Sequence, residues 1–73
     1  MRRAMKIVLR QINTRRYYAG PQKWTTDVRG AIDFGEVERA IKASREEKLT
    51  GMEVVLSFDD GGDDPVLRFP LDQ

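Results

Sequence analysis

Arg15, Arg16, Tyr17, Tyr18, Lys23 and Trp24 form the one constellation in this 73-residue chain whose residue types point to recognition chemistry. Proteins that take single-stranded nucleic acid set aromatic rings, on which bases stack, inside a positively charged groove that follows the phosphates. Both ingredients are present. Tyr17 and Tyr18 are neighbours, so on a strand they face opposite sides, and only one can serve as a platform while the other packs inward. No nucleic-acid-binding signature accompanies them. The expectation that weighs more is one tyrosine and Trp24 in the core, with the arginines in solvent.

Asp59, Asp60, Asp63 and Asp64 surround Gly61 and Gly62, an arrangement that invites a calcium reading. Hard cations want several carboxylate oxygens, but the Asp-x-Asp-x-Asp-Gly spacing and distal glutamate of an EF-hand loop are missing. A two-residue turn also points its flanking side chains apart, so the expected role is a solvated turn, and no metal is expected. The chain has no histidine and no cysteine, which removes the usual zinc, haem and iron–sulfur ligand sets and any disulfide. No Gly-x-Ser-x-Gly, Ser-x-x-Lys or phosphate-cradling glycine loop occurs. The close carboxylate pairs lie in a turn or on a helix surface, where nothing pushes two pKa values apart. The expectation is therefore a non-enzymatic protein with no cofactor.

The elements that position these residues follow from periodicity. Met52, Val54, Leu56 and Phe58 alternate with more polar positions, as do Leu67, Phe69 and Leu71 after the acidic break. This predicts two half-buried strands joined by a tight turn at Gly61-Gly62, since both central positions of a type I′ turn need positive φ. A first strand is predicted from Met5 to Ile12, with Met5, Ile7 and Leu9 on one face and Lys6, Val8, Arg10 and Ile12 on the other. A turn near Asn13 leads to a second strand at residues 16–19. Gly20-Pro21 predicts a break, and residues 20–30 read as a loop tied down by Trp24. Residues 31–34 read as a short strand or extended lead-in.

Residues 36–49 carry the only helical pattern. Val37, Ala40, Ile41 and Ser44 share a face, Glu36 and Glu38 sit at the start, and Lys42, Arg45 and Lys48 toward the end, as the helix dipole favours. Gly35 stands at the N-cap position with Asp33 within reach of it, and Gly51 is the expected stop. The predicted fold is α+β: β-β-loop-α-β-β, one helix on a mostly antiparallel sheet of four strands, spanning residues 5–73 after a four-residue extension. The predicted core is Ile7, Leu9, Phe34, Val37, Ala40, Ile41, Leu49, Val54, Leu56, Phe58, Leu67 and Phe69.

Trp24, Ala31, Phe34 and Ala40 stand in the spacing W-x6-A-x2-F-x5-A, which resembles a pattern in small bacterial proteins of unknown function. That family carries no assigned chemistry, so the resemblance implies no catalytic residues.

Charge is unevenly distributed. The formal net charge is +1, yet residues 1–30 hold eight Lys and Arg against Asp27 alone, a balance of +7, and residues 31–73 balance to −6. Such asymmetry can steer an anionic partner or favour head-to-tail association, unless the halves interleave in the sheet. The longest apolar runs are three residues, so no membrane span and no signal peptide is expected, and the expected compartment is the bacterial cytoplasm. The preferred functional expectation is a protein-interaction or self-associating module, acting through an exposed sheet edge offered by the first or second strand. The alternative is weak RNA or single-stranded DNA binding through Arg15, Arg16, Lys23 and one of the three aromatic residues.

Overall fold

A computed structural model describes residues 5–58 and 66–71. The predicted turn at Gly61-Gly62, its four aspartates and the four-residue N-terminal extension lie outside the described residues. The remainder is α+β, with one α-helix and a five-stranded, fully antiparallel sheet. The strands are β1 (Met5–Gln11), β2 (Tyr17–Gly20), β3 (Lys23–Thr25), β4 (Met52–Phe58) and β5 (Leu67–Pro70), and the helix α1 is Val37–Glu46. Their spatial order is β3-β2-β1-β4-β5. The long central pairing runs from Met5 opposite Phe58 to Gln11 opposite Met52. Among the described residues no helix is long and apolar enough to cross a membrane.

Three expectations need correction. The stretch read as a loop contains β3 and, at Val28–Gly30, one turn of 3-10 helix. The Gly20-Pro21 break is a hairpin turn, with Gly20 at φ 140° and Gln22 at φ 60°. Tyr18 pairs with Trp24 and Tyr17 with Thr25, so Pro21 sits outside the ladder where its missing N–H costs nothing. Of the two expectations for residues 31–34 the strand is not formed; they lead into the helix with Ala31 extended, their backbone tied to the sheet by Ile32 N–H to the Tyr18 carbonyl (3.1 Å) and Phe34 N–H to the Ile7 carbonyl (2.8 Å).

The second correction concerns the edges. The first two strands are interior, and β3 and β5 are the outer ones. Both are short, at three and four residues. On β5 the Leu71 N–H reaches the Met52 carbonyl at 2.9 Å, so the backbone at Arg68 and Pro70, on the alternate positions, faces outward, and Pro70 has no N–H to offer. An antiparallel pairing of two copies centred on Arg68 would set Arg68 against Arg68, which opposes like charges. The order also keeps β1, β2 and β3, from the basic part of the chain, on one side of the sheet and β4 and β5 on the other.

The third is the helix end. The helix stops at Glu46, and Lys48 rather than Gly51 takes the left-handed conformation just beyond it, at φ 54°. Lys48 N–H bonds to the Arg45 carbonyl (3.1 Å) and Leu49 N–H to the Ser44 carbonyl (2.9 Å), the paired bonds of a Schellman motif. Gly51, at φ 66°, serves the turn into β4, its carbonyl accepting from Ile12 N–H at 2.9 Å. At the other end Gly35 takes φ 79° and receives Asp33 Oδ1 on its N–H at 2.9 Å, while the helix begins after Glu36.

The core has two parts, one on each face of the sheet. Leu9, Tyr18, Ala40, Met52 and Val54 are buried under the helix, with Ile7, Phe34, Val37, Ile41, Leu49, Leu56 and Phe69 half-buried around them. On the opposite face Val8 and Val55 are buried beneath Val28 of the 3-10 turn and Ala31 just after it. Leu67 does not join the predicted core and is 53% exposed. It lies on the edge strand, beyond the part of the sheet that the helix covers. Trp24, Phe34 and Ala40 of the W-x6-A-x2-F-x5-A pattern pack in the helix-side core and Ala31 in the other, so each of these four positions has a packing role.

Candidate functional site

The six residues singled out by composition do not converge. Arg15 and Arg16 are exposed in the β1–β2 turn, where Arg15 adopts φ 60° and its N–H bonds the Gln11 carbonyl at 2.8 Å. Lys23 pairs with Gly20 at the far end of β2, about 13 Å along the strand from Arg16. Its stem lies over Gly20, with Cδ 3.6 Å from where a Cβ there would stand. That directs Lys23 to the face opposite Trp24, its neighbour in the strand. None of the three cations has an ion-pair partner among the described residues.

Tyr17 and Tyr18 face opposite sides, as neighbours on a strand must. Tyr17 lies on the face of the 3-10 turn, with the Arg10 guanidinium 5.8 Å from its ring centroid. Arg10 also holds Glu53 across the β1–β4 pair, Nε to Oε2 at 2.8 Å, with both side chains more than nine-tenths buried. Burial works against the charge on Arg10, but hydrogen bonds with Glu53 and Tyr17 outweigh it and raise its pKa. Tyr18 lies on the helix side, edge-to-face with Trp24 at 5.8 Å and 78° and stacked on Phe34 at 6.1 Å and 21°. These rings are therefore not one stacking platform beside one row of cations.

What the fold does build is a half-open cleft of about 340 Å³, lined by Tyr18, Pro21, Gln22, Trp24, Glu47 and Leu49. The β2–β3 hairpin supplies four of these residues and the end of the helix two. The Schellman turn is what brings the two sources together: with Lys48 left-handed, the chain reverses just after Glu47 and returns Leu49 to the same side. Tyr18 Oη donates to Glu47 Oε1 at 2.9 Å, across 29 positions of sequence. Burial, and then this hydrogen bond to a carboxylate, pushes the Tyr18 hydroxyl pKa above its usual value, so it remains a donor at neutral pH. Glu47 Oε2 has no partner among the described residues. The cleft thus presents apolar walls, the half-buried indole of Trp24, an amide at Gln22 and one carboxylate held in place by a buried phenol.

Tyr18 and Trp24 were legible as candidates from their types. Glu47, Gln22, Pro21 and Leu49 were not: no motif or spacing marks them as a site, and only its contact with Tyr18 distinguishes Glu47. Among the described residues no group of three or more Asp and Glu side chains is placed to hold a metal ion. No protein-family model, no curated protein and no solved structure matches the chain.

Proposed function

We propose that this chain is a non-enzymatic protein-interaction module that engages its partner with side chains of the Tyr18–Trp24–Glu47 cleft rather than by adding a strand to its sheet. The cleft is the observation that supports this reading. Tryptophan and tyrosine in a desolvated pocket are the residues that most often dominate protein contacts, and Pro21 and Leu49 extend their apolar surface. The outer strands argue against strand addition, because they are short and carry Lys23, Arg68 and Pro70. Nucleic-acid binding has less behind it: Arg15, Arg16 and Lys23 stand at opposite ends or on the opposite face from Trp24.

Selection of peptides from a random displayed library on the purified protein tests the reading. Selected peptides should bind Trp24→Ala at least tenfold more weakly and bind an Arg15→Ala/Arg16→Ala variant unchanged. Should Trp24→Ala fail to fold by circular dichroism, Glu47→Lys, at an exposed position, takes its place. Peptides indifferent to the cleft variants, or no selected peptides at all, would overturn the reading.

A further inference from the structure

The chemistry of the cleft specifies what can fill it. Its only charged lining group is Glu47, so an anionic ligand such as a phosphate or a carboxylate would meet a like charge with no lining cation to offset it. A wholly apolar ligand would cover the carboxylate and strip its water without replacing the hydrogen bonds, a cost that apolar contact with two rings does not readily recover. A ligand that is flat, apolar along its stem and rich in N–H donors at its head satisfies every wall at once. At about 340 Å³ the space is near the lower end of the usual range for ligand sites, roughly 300–1,000 Å³, which suits one long side chain.

We infer that the cleft is a recognition site for an arginine side chain of a partner protein. The guanidinium donates to Glu47 Oε2, the oxygen that Tyr18 leaves open, and its methylenes and planar head lie along Trp24, Pro21 and Leu49. Arginine is favoured over lysine because its planar fork stacks on an indole and still donates in its own plane, whereas an ammonium is a compact, strongly hydrated charge. Gln22 also lines the cleft, and its side-chain amide can supply a further acceptor. Tyr18 acts as a positioning residue: its hydroxyl occupies Oε1 and orients the carboxylate. Lys23 does not compete for the site, since its stem lies over Gly20 on the other face.

This inference rests on the reading of the chain as a protein-interaction module, and the test separates the two. The 15N-labelled protein is titrated, followed by amide and indole shifts, with acetyl-Gly-Arg-Gly-amide and with the same peptide carrying lysine, citrulline or norleucine in place of arginine. A short single-stranded RNA is a fifth ligand. The expected result is shifts at the Trp24 indole N–H and at Glu47 and Leu49, with arginine binding at least fivefold tighter than citrulline, its uncharged near-isostere. Glu47→Gln should abolish that preference while leaving the spectrum otherwise folded. Equal shifts with citrulline, or shifts of the same residues by RNA alone, overturn the arginine assignment. If the arginine peptide does not shift the cleft while library-selected peptides still depend on Trp24, the arginine assignment fails and the interaction module stands.

Discussion

The two faces of the central sheet solve the same burial problem in different ways. Under the helix the contacts are largely apolar, and Leu9, Ala40, Met52 and Val54 are removed from water by side chains of the helix, of the neighbouring strands and of the segments that flank the helix. On the opposite face a single turn of 3-10 helix and the residue after it do the covering, and the apolar contribution is small: Val28 and Ala31 over Val8 and Val55, with Tyr17 beside them. Polar groups supply the rest. Lys6 reaches across from β1 and donates to the carbonyls of Val28 (3.1 Å), Arg29 (3.3 Å) and Ala31 (2.8 Å), placing an ammonium at the negative end of the 3-10 turn. Asp27 caps the other end, accepting from the Arg29 backbone N–H at 2.9 Å and from its guanidinium at 2.8 Å. Beside this, Arg10 and Glu53 form a buried ion pair under Tyr17. Among the described residues one α-helix serves a sheet with two faces, and the second face is closed by directed bonds that hold a short segment in one place.

That difference predicts unequal sensitivity to single substitutions. Glu53→Ala should have the largest effect, about 3–5 kcal/mol, because it leaves the Arg10 charge buried with no carboxylate. Much of the stability of so small a domain would be lost, as urea denaturation would register. Replacing both partners, as Arg10→Met with Glu53→Leu, should recover most of that loss; a double variant as unstable as the single one would show that the pair holds the face together by more than mutual neutralisation. Lys6→Met comes next, at about 2 kcal/mol for the lost charged hydrogen bonds. Its signature is local: amide exchange should quicken at Val28–Ala31 more than in β4, and uniform quickening would mean that the two faces unfold as one unit. The smallest change, and the only gain, is expected under the helix. Ser44 is fully buried and its Oγ has no hydrogen-bond partner among the described residues. Ser44→Ala should therefore stabilise the protein by about 1 kcal/mol, and a loss of stability would show that the apolar face tolerates this hydroxyl for a reason of its own.

Local pattern carried much of the architecture into view. The alternation in Met52–Phe58 and the helical spacing of Val37, Ala40 and Ile41 report the face each element turns to the core, because a side chain's direction is tied to the period of its own backbone. The same rule separates Tyr17 from Tyr18 without coordinates. The pattern was blind where the period is too short to count: β3 has three residues, and the 3-10 turn likewise. It also misjudged Val8, which alternates with Lys6 and Arg10 and so reads as half-solvated, although Val28 and Ala31 cover it completely. Leu67 erred the other way, apolar in an alternating run yet exposed on an edge strand.

Sequence alone determined the α+β class, the antiparallel strands at Met52–Phe58 and Met5–Gln11, the helix under Val37, Ala40 and Ile41, and the lack of histidine and cysteine, all of which depend on residue type and local spacing. Tertiary structure decided which strands are outer, that Lys6 finds three carbonyls more than twenty residues away, and that Glu47 meets Tyr18 to make a cleft. The physical reason is one of range. Strand and helix periods are set by steric limits on neighbouring residues, whereas a hydrogen bond between distant positions exists only after the chain has chosen a strand order, and no spacing along the sequence encodes that choice.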